Sequence, residues 1–422
     1  MARISKKATT SYTVVPTTVL QQMTDKNKHI PQGYKDSPLG IIPKEWEVKR
    51  LGEVCTFLDS QRIPIKDMDR EKMQGKYPYY GASGIIDYIN DYIFDDNLIL
   101  LSEDGANILM RNTPLAFLVS GKIWVNNHAH VLKTKKEFNR YYVCSYLESL
   151  SYDKYNTGTA QPKLNREVCE KIPVLLPSRE EQNKISNLLV MWDTAIEQQT
   201  ILIEKLNLRK RALMQQLLKG KKRLPGFNRK WEHVPIRTFA KEVSNRNING
   251  GNHIVLSCTK YDGLVPSLEY FGKQIFSNDL SSYKIIPQGH FAYATNHIEE
   301  GSIGYQSKFE NGLISPMYTV FITDKSKVND RFLFAVLKSH RLIYLYKSMM
   351  EGSINRRGGL RWDSFSTIKI DLPPLNEQNA IASLLIKADK EIGLANKMLA
   401  EFQNQKRGLM QQLLTGKKRI EK

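Results

Sequence analysis

The chain has 422 residues, 41% of them hydrophobic, which is room for two or three domains with real cores and excludes a disordered polymer. A formal charge of +19 and an isoelectric point near 9.5 point to a polyanionic partner, nucleic acid before an acidic membrane surface. No apolar run approaches the roughly 20 residues that span a bilayer and the start lacks a signal-peptide core, so a cytoplasmic protein without membrane association is expected.

In chain order, residues 1–35 are polar, Thr- and Lys-rich and aperiodic, predicting a flexible N-terminal arm with at most a short helix at Val19 to Met23. A globular unit over 36–176 opens on Trp46-Glu47. Its predicted elements are strands at Leu98 to Leu101 and Leu115 to Ser120, a helix capped by Asn139 and running through Leu150, a Gly-containing loop at Thr157 to Lys163, and a closing strand at Lys171 to Leu176. A long helix is expected within 177–224. A second unit over 225–372 opens on Trp231-Glu232, with strands at Ile254 to Ser257, Phe291 to Thr295 and Tyr318 to Thr323. It continues with a helix capped by Asp330 and running through Lys347, a loop at Glu351 to Gly359, and a strand at Thr367 to Leu372. A second long helix fills 373–422. Both globular units read as mixed α/β. From Trp to helix is 131 residues in the first and 142 in the second, and the difference is assigned to loops.

The two helical stretches are copies. Residues 177–224 and 373–420 align without a gap at an offset of 196, with 21 of 48 positions identical. Glu181-Gln182-Asn183 matches Glu377-Gln378-Asn379, and Leu213-Met214-Gln215-Gln216-Leu217-Leu218 matches Leu409-Met410-Gln411-Gln412-Leu413-Leu414. Steps of three and four link Ile185, Leu189, Trp192, Ile196, Gln199, Ile203, Leu206, Lys210, Leu213 and Leu217, the seam of a coiled coil. The second copy repeats it through Ile381, Leu385, Ala388, Ile392, Ala395, Leu399, Phe402, Lys406, Leu409 and Leu413. Ser178 and Glu181 have capping-box spacing, and Gly220 and Gly416 stand where each helix stops. Such a helix is about 60 Å long at roughly 1.5 Å per residue. A surface helix packed on its own domain seldom keeps a heptad that far, so intramolecular pairing into a rod carrying two units is expected. Preserving the rod while changing the units suits one presentation geometry that reads two different things. If both units read DNA, the target is two unlike half-sites one to two turns apart, one turn being about 34 Å.

The chain resembles the specificity subunit of type I restriction-modification enzymes. The resemblance rests on Gly33-Tyr34-Lys35, on Leu39-Gly40-Ile41-Ile42-Pro43-Lys44-Glu45-Trp46-Glu47-Val48, on Leu51-Gly52-Glu53-Val54, and on Leu176-Pro177 and Leu372-Pro373-Pro374-Leu375 leading into the Glu-Gln helices with their paired endings. It implies an α/β fold of two mixed α/β target-recognition domains separated by two long antiparallel helices forming an intramolecular coiled coil. It further implies a non-catalytic subunit that reads a bipartite, asymmetric site on double-stranded DNA. Its implied partners are two modification subunits, adenine-N6 methyltransferases, and restriction subunits that act as translocase and nuclease. No cofactor is bound by this chain on that reading, with S-adenosylmethionine, ATP and Mg on the partners.

The residues agree with the lack of a catalyst. Asp371-Leu372-Pro373-Pro374 lacks the adjacent prolines and following aromatic of an amino-methyltransferase motif, and no Gly-x-x-x-x-Gly-Lys-Ser/Thr loop occurs. His128-Ala129-His130 has no nearby ligand partners and is assigned to a strand, so no metal is expected. The four cysteines, Cys55, Cys144, Cys169 and Cys258, have no paired spacing and read as ordinary reduced residues. Two other classes compete with DNA recognition: a self-sufficient DNA-modifying enzyme, and a coiled-coil adaptor that binds proteins only.

Base reading needs donors and acceptors on held loops, and phosphates need cations or N–H groups. In the first unit the candidates are Tyr80 and Ser83 in the 79–84 turn, Arg111, the Asn126, Asn127 and His128 run, and Thr159, Gln161 and Lys163. In the second they are Asn296, His297, Ser353, Asn355, Arg356, Arg357 and Arg361. Each competes with a plain solvated loop charge or a phosphate contact, and Tyr79 and Tyr80 fit a core equally well. The Lys221-Lys222-Arg223 and Lys417-Lys418-Arg419 runs suit phosphates, an acidic partner, or helix ends that complement the macrodipole. Glycine-flanked Arg356 and Arg357 form the sharpest candidate fork for guanine. Replacing both with Ala is expected to weaken specific binding by about 1–3 kcal/mol per lost base contact, read as affinity of the assembled complex for its own site; unchanged affinity removes this loop from the interface.

Overall fold

The computed structural model describes residues 30–351 and 359–420. Of the arm expected over 1–35, residues 1–29 lie outside the described residues, as do the candidates Ser353, Asn355, Arg356 and Arg357. Its end is not a loose arm, since Tyr34 and Lys35 pair as a strand with Pro43 and Ile42 and the Tyr34 hydroxyl donates to the Gly416 carbonyl at 3.2 Å. The chain forms two compact units, one from residues up to Gln199 together with Met398–Lys422, the other from Thr200–Lys397. Two helices of 39 residues, Arg179–Leu217 and Leu375–Leu413, each contribute one part to each unit. Among the described residues no helix is long and apolar enough to cross a membrane.

The first unit is built on a six-stranded sheet, in the order Cys55–Phe57, Ala129–Thr134, Phe94–Ser102, Ala116–Val125, Gln74–Gly81, Gly84–Ile89. All pairs are antiparallel except Tyr79 and Tyr80 beside Trp124 and Val125. The central strand carries Leu98-Ile99-Leu100-Leu101 because both of its faces are covered. Ile99 and Leu101 enter the core shared with the helices, and Leu98 and Leu100 enter a second core on the opposite face. The helix Arg140–Ser149 begins where expected, with the Asn139 side chain accepting from Tyr142 N–H. The opening strand Glu47–Arg50 pairs directly with the closing strand Pro173–Leu176, Glu47 opposite Leu176.

The second unit repeats that closure, Glu232–Pro235 pairing with Lys369–Leu372 and Glu232 lying opposite Leu372. Its sheets differ: two four-stranded sheets stand where the first unit has one of six. The difference between the units is therefore in sheet architecture and not only in loops. The helix expected from Asp330 to Lys347 is two helices, Asp330–Leu337 and His340–Glu351, and its cap is Asn329, which accepts from Arg331 and Phe332 N–H. Asp330 instead turns inward to Thr323 and Lys325. The break falls at Lys338, whose ammonium is drawn into three carbonyls, those of Thr259, Lys260 and Gly301 at 3.2, 2.8 and 2.6 Å.

The duplicated Glu-Gln-Asn has one task per residue. In the first unit Glu181 accepts from the Trp46 indole at 3.2 Å and from Arg419 at 2.6 and 2.9 Å. Gln182 accepts from Asn139 N–H at 2.8 Å, and Asn183 accepts from the Asn139 amide at 2.7 Å. In the second unit Glu377 accepts from Trp231 at 3.1 Å and twice from Arg223 at 2.6 Å, while Gln378 and Asn379 hold Asn329 at 2.8 Å each. Ser178 Oγ does accept from Glu181 N–H at 3.3 Å, but the Glu181 carboxylate is committed to Trp46 and Arg419, so the reciprocal half of the expected capping box is replaced by a tether. Arg223 and Arg419 are likewise internal ion-pair partners, which takes them out of the phosphate-contact reading; Lys221, Lys222, Lys417 and Lys418 stay exposed.

Within each unit the helix parts run antiparallel. In the first, Trp192 meets Phe402 edge-on at 5.8 Å and Asp193 takes Lys406, with Tyr141 on the same carboxylate. In the second, Lys210 takes Asp389 and Arg209 takes Glu391. Ile185, Leu189, Leu206, Leu217, Ile381, Leu385 and Leu413 are buried. Ile196, Ile203, Leu213, Ile392, Leu399, Phe402 and Leu409 are half-buried. Off-seam Met191 and Leu394 are each 68% exposed, so the seam separates covered from uncovered apolar positions. Gly220 and Gly416, at φ 62° and 70°, take the left-handed turn that ends each helix.

Glu377→Ala should lower the stability of its unit by about 3 kcal/mol, because it strands an indole N–H and a guanidinium that is only about one quarter exposed. Lys222→Ala, on an exposed side chain, should stay within about 0.5 kcal/mol. Urea unfolding of both variants checks the contrast.

Candidate nucleic-acid interface

At the end of the central strand of the first unit, residues 102–105 tie three loops together. Ser102 Oγ donates to the Ala82 carbonyl in the 81–84 turn, and Glu103 N–H donates to the His128 carbonyl at 2.9 Å. Leu164 N–H donates to Glu103 at 2.7 Å, Gly105 N–H donates to Pro162 at 3.0 Å, and Asp104 forms a bridge with Lys163. The 156–164 loop folds back on the Asn156 side chain, which accepts from Gly158 and Lys163 N–H at 3.0 and 2.9 Å. A Cβ at Gly158 would lie 1.8 Å from the Gln161 carbonyl oxygen, so only glycine closes this loop.

Beneath these loops lies a buried polar network. His130 has its Nδ1 2.7 Å from Asp59 and its Nε2 2.7 Å from the Leu164 carbonyl, and since a carbonyl only accepts, Nε2 carries a proton. Asp59 also accepts from Val131 N–H at 2.8 Å, and Arg62 donates to Glu103 and to the Ala129 carbonyl at 2.7 and 2.8 Å. Burial opposes charge on the His130 ring, but the bond to Asp59 and the neighbouring Cys169 outweigh it and raise its pKa to about 10. Burial likewise opposes the Asp59 carboxylate, and His130, Val131 N–H and Arg62 together hold it below its ordinary range. This pair ties Leu164, at the root of one candidate loop, to the strand that follows another.

Of the residues proposed from sequence, Ser83, Asn127, His128, Thr159, Gln161 and Lys163 are exposed, and all lie on the segments that 102–105 joins. Tyr80 is half-buried 6.0 Å from the Phe117 ring. Asn126 is buried, its N–H on the Tyr80 carbonyl at 3.0 Å and its Oδ1 accepting from His128 N–H at 2.8 Å, so it holds the turn. Arg111 is turned away from this cluster. It has a left-handed backbone, φ 53°, and its guanidinium is committed to the carbonyl and carboxylate of Glu148. Tyr79 is core, with Ile89 and Trp124. Glu103 and Asp104 were missed because a polyanion directs attention to donors; the signal available was Gly105 following them at the end of an apolar strand.

In the second unit Asn296 and His297 are exposed beside the strand Phe291–Ala294. Leu360 N–H donates to the Thr295 carbonyl at 2.9 Å, and a Cβ at Gly359 would meet that oxygen at 2.2 Å and Asn296 Oδ1 at 2.4 Å. Gly359 itself thus lies directly against Thr295 and Asn296. Exposed Arg361 follows at the start of the short helix Trp362–Phe365. Among the described residues one group of three potential metal-ligating side chains occurs, exposed His297 and Glu300 with half-buried Glu299, their ligand atoms within 4.8 Å of one another. The His128–His130 pair is engaged with Asp104 and with Asp59 and Leu164.

Two stretches, 43–207 and 237–404, match the model of the type I restriction modification DNA specificity domain. The chain is 26% identical over 384 residues to a Haemophilus influenzae protein bearing the name of a type I restriction enzyme specificity subunit, covering 86% of this chain and 93% of that one. It is 26% identical over 411 residues to the MjaVIII type I restriction enzyme specificity subunit of Methanocaldococcus jannaschii, covering 90% and 94%. Its fold is similar to the crystal structure of the S subunit of a type I restriction-modification system from M. genitalium, with a TM-score of 0.56 and 14% identity over 87% of this chain and 96% of that one. The chain belongs to the type I restriction-modification DNA specificity family. It is a specificity subunit, which recognises DNA and is not itself a catalyst.

The His130–Asp59 pair has a pH signature. A raised histidine pKa contributes stability that is full below about 6.5 and lost as pH rises through about 10; the lowered Asp59 contributes stability present above about 3.8 and lost as pH falls further. His130→Gln should cost about 3 kcal/mol near pH 6, and the gap from the parent protein should shrink toward pH 10, as read by urea unfolding across that range. A gap independent of pH would contradict the charged pair.

Proposed function

We propose that each unit reads one part of a two-part sequence in double-stranded DNA, with the long helices paired as an intramolecular coiled coil that holds the two readers at a set spacing. The observation that carries this reading is the contrast between frame and filling. The Trp–Glu–Arg and Gln–Asn–Asn contacts and the strand closure are the same in both units, while one unit carries a six-stranded sheet and the other two sheets of four. A repeated support with unlike reading surfaces suits an asymmetric site with an unspecified gap, because phosphate contacts position a protein and base contacts specify. On this reading 36–176 and 225–372 are the target-recognition domains and 177–224 and 373–422 the spacer. The 102–105 junction with Ser83, Asn127, His128, Gln161 and Lys163 forms one reading surface, and Asn296, His297 and Arg361 belong to the other.

The subunit then delivers two modification subunits, which use S-adenosylmethionine to methylate adenine N6, and restriction subunits that use ATP and Mg. A polyanionic target agrees with the net charge of +19. The relative from M. genitalium is likewise the S subunit of a restriction-modification system.

Mapping N6-methyladenine across a genome in cells that make the assembled complex should give two unlike specified blocks separated by a run of fixed length with no base preference. Exchanging 36–176 for the corresponding segment of a relative should change one block and leave the other and the gap intact. A single contiguous motif, or an exchange that alters both blocks, would sink the proposal.

A further inference from the structure

Two carboxylates stand at the best-held corner of the first unit, on a basic chain whose ligand is itself an anion, and they are not equivalent. Glu103 is neutralised from within, with Arg62 at 2.7 Å and the Lys163 ammonium at 3.6 Å. Among the described residues Asp104 has no Lys or Arg partner of that kind. Among the described residues its recorded side-chain partner is the His128 imidazole, whose Nδ1 lies 3.0 and 2.9 Å from its two oxygens; the Asp104 side chain is 24% exposed and that of His128 49%.

The backbone beneath Asp104 cannot move to hide it. Asp104 itself bridges to Lys163, the N–H before it is held by the His128 carbonyl and the N–H after it by Pro162, and Gly105 is fixed at φ 109°. An ionised carboxylate only accepts hydrogen bonds, and the His128 ring meets Asp104 through Nδ1 alone, which leaves the carboxylate further lone pairs to offer. Such a carboxylate is repelled by phosphate oxygens. Among the groups a duplex displays in its major groove, those that satisfy it are the exocyclic amines, N4 of cytosine and N6 of adenine.

Resting on the reading of this corner as a DNA-contacting surface, we infer that Asp104 is a specificity-determining residue. It accepts a hydrogen bond from the exocyclic amine of a cytosine or adenine in the half-site read by the first unit, and His128 holds the carboxylate toward the groove. Lys163, Gln161 and Asn127 around it supply the donors that hold the duplex close against the carboxylate's own repulsion.

The test is Asp104→Asn in the assembled complex, with genome-wide mapping of N6-methyladenine and competition binding on duplexes that vary one base at a time. An amide can turn either its donor or its acceptor outward, so the motif should become degenerate at one cytosine or adenine of one half-site. The preference there should fall from roughly five- to hundredfold to within about twofold. The other half-site and the gap should not change. An identical motif would overturn the assignment, and so would loss of modification at every site, since Asp104 would then be structural; Asp104→Glu, which keeps the carboxylate, should retain the parent base preference, and a motif as degenerate as that of Asp104→Asn would overturn the carboxylate as the reader. A parent complex that modifies DNA without sequence preference would instead refute DNA reading by this chain and leave the Asp104 chemistry without a target.

Discussion

A carboxylate taken out of water must be met by donors or it destabilises the fold, and in each unit a glutamate at the start of a long helix is placed under that demand. Glu377 is fully buried and Glu181 nearly so, and each is satisfied by an indole N–H from the residue just before the opening strand of its unit and a guanidinium from beyond the end of the opposite helix copy. Three segments far apart in the chain meet at one side chain. Loss of any member leaves a buried charge or donor unmatched, which explains why identity between the copies is concentrated at the Glu-Gln-Asn start and the Lys-Lys-Arg end. The middle of each helix needs only apolar side chains at seam positions, and there Trp192 and Phe402 stand where the other copy has Ala388 and Leu206.

The same economy separates support from reading surface. Strand closure, the asparagine cap and the tether together define where a unit begins and ends, and none of them constrains which strands fill the interval. A six-stranded sheet and a pair of four-stranded sheets fit the same frame because each presents an apolar face to it. Ile99 and Leu101 do this in one unit, Phe291 and Phe321 in the other. The physical consequence is that loops on the sheets can change without disturbing the buried ion pairs beneath.

Charge is distributed differently from what the net value suggests. Arg111, Arg223, Arg419 and Lys338 each close an internal contact, with Glu148, Glu377, Glu181 and three backbone carbonyls respectively. Arginine and lysine can answer several acceptors at once, which suits these four to internal contacts. At the 102–105 corner of the first unit the reverse holds, and two acidic residues occupy the centre of a cluster otherwise rich in amides and cations. A basic sequence therefore locates a polyanionic ligand without locating its contacts.

Local periodicity and repetition determined much of this protein. The two long helices, their seams, their glycine stops, the Asn139 cap and the central strands follow from residue spacing, because helix and strand periods are properties of the backbone that neighbouring side chains must obey. The loop residues Ser83, His128, Gln161 and Lys163 were likewise recognisable as surface polar groups. Only the tertiary structure decided which of them share a corner, that Arg111 is not among them, that Asp104 is, and that the helix after Asn329 breaks at Lys338. Those outcomes depend on donors and acceptors brought together from distant segments, such as Lys338 with Gly301 or Arg223 with Glu377, and no local pattern encodes a partner that arrives from elsewhere in the fold.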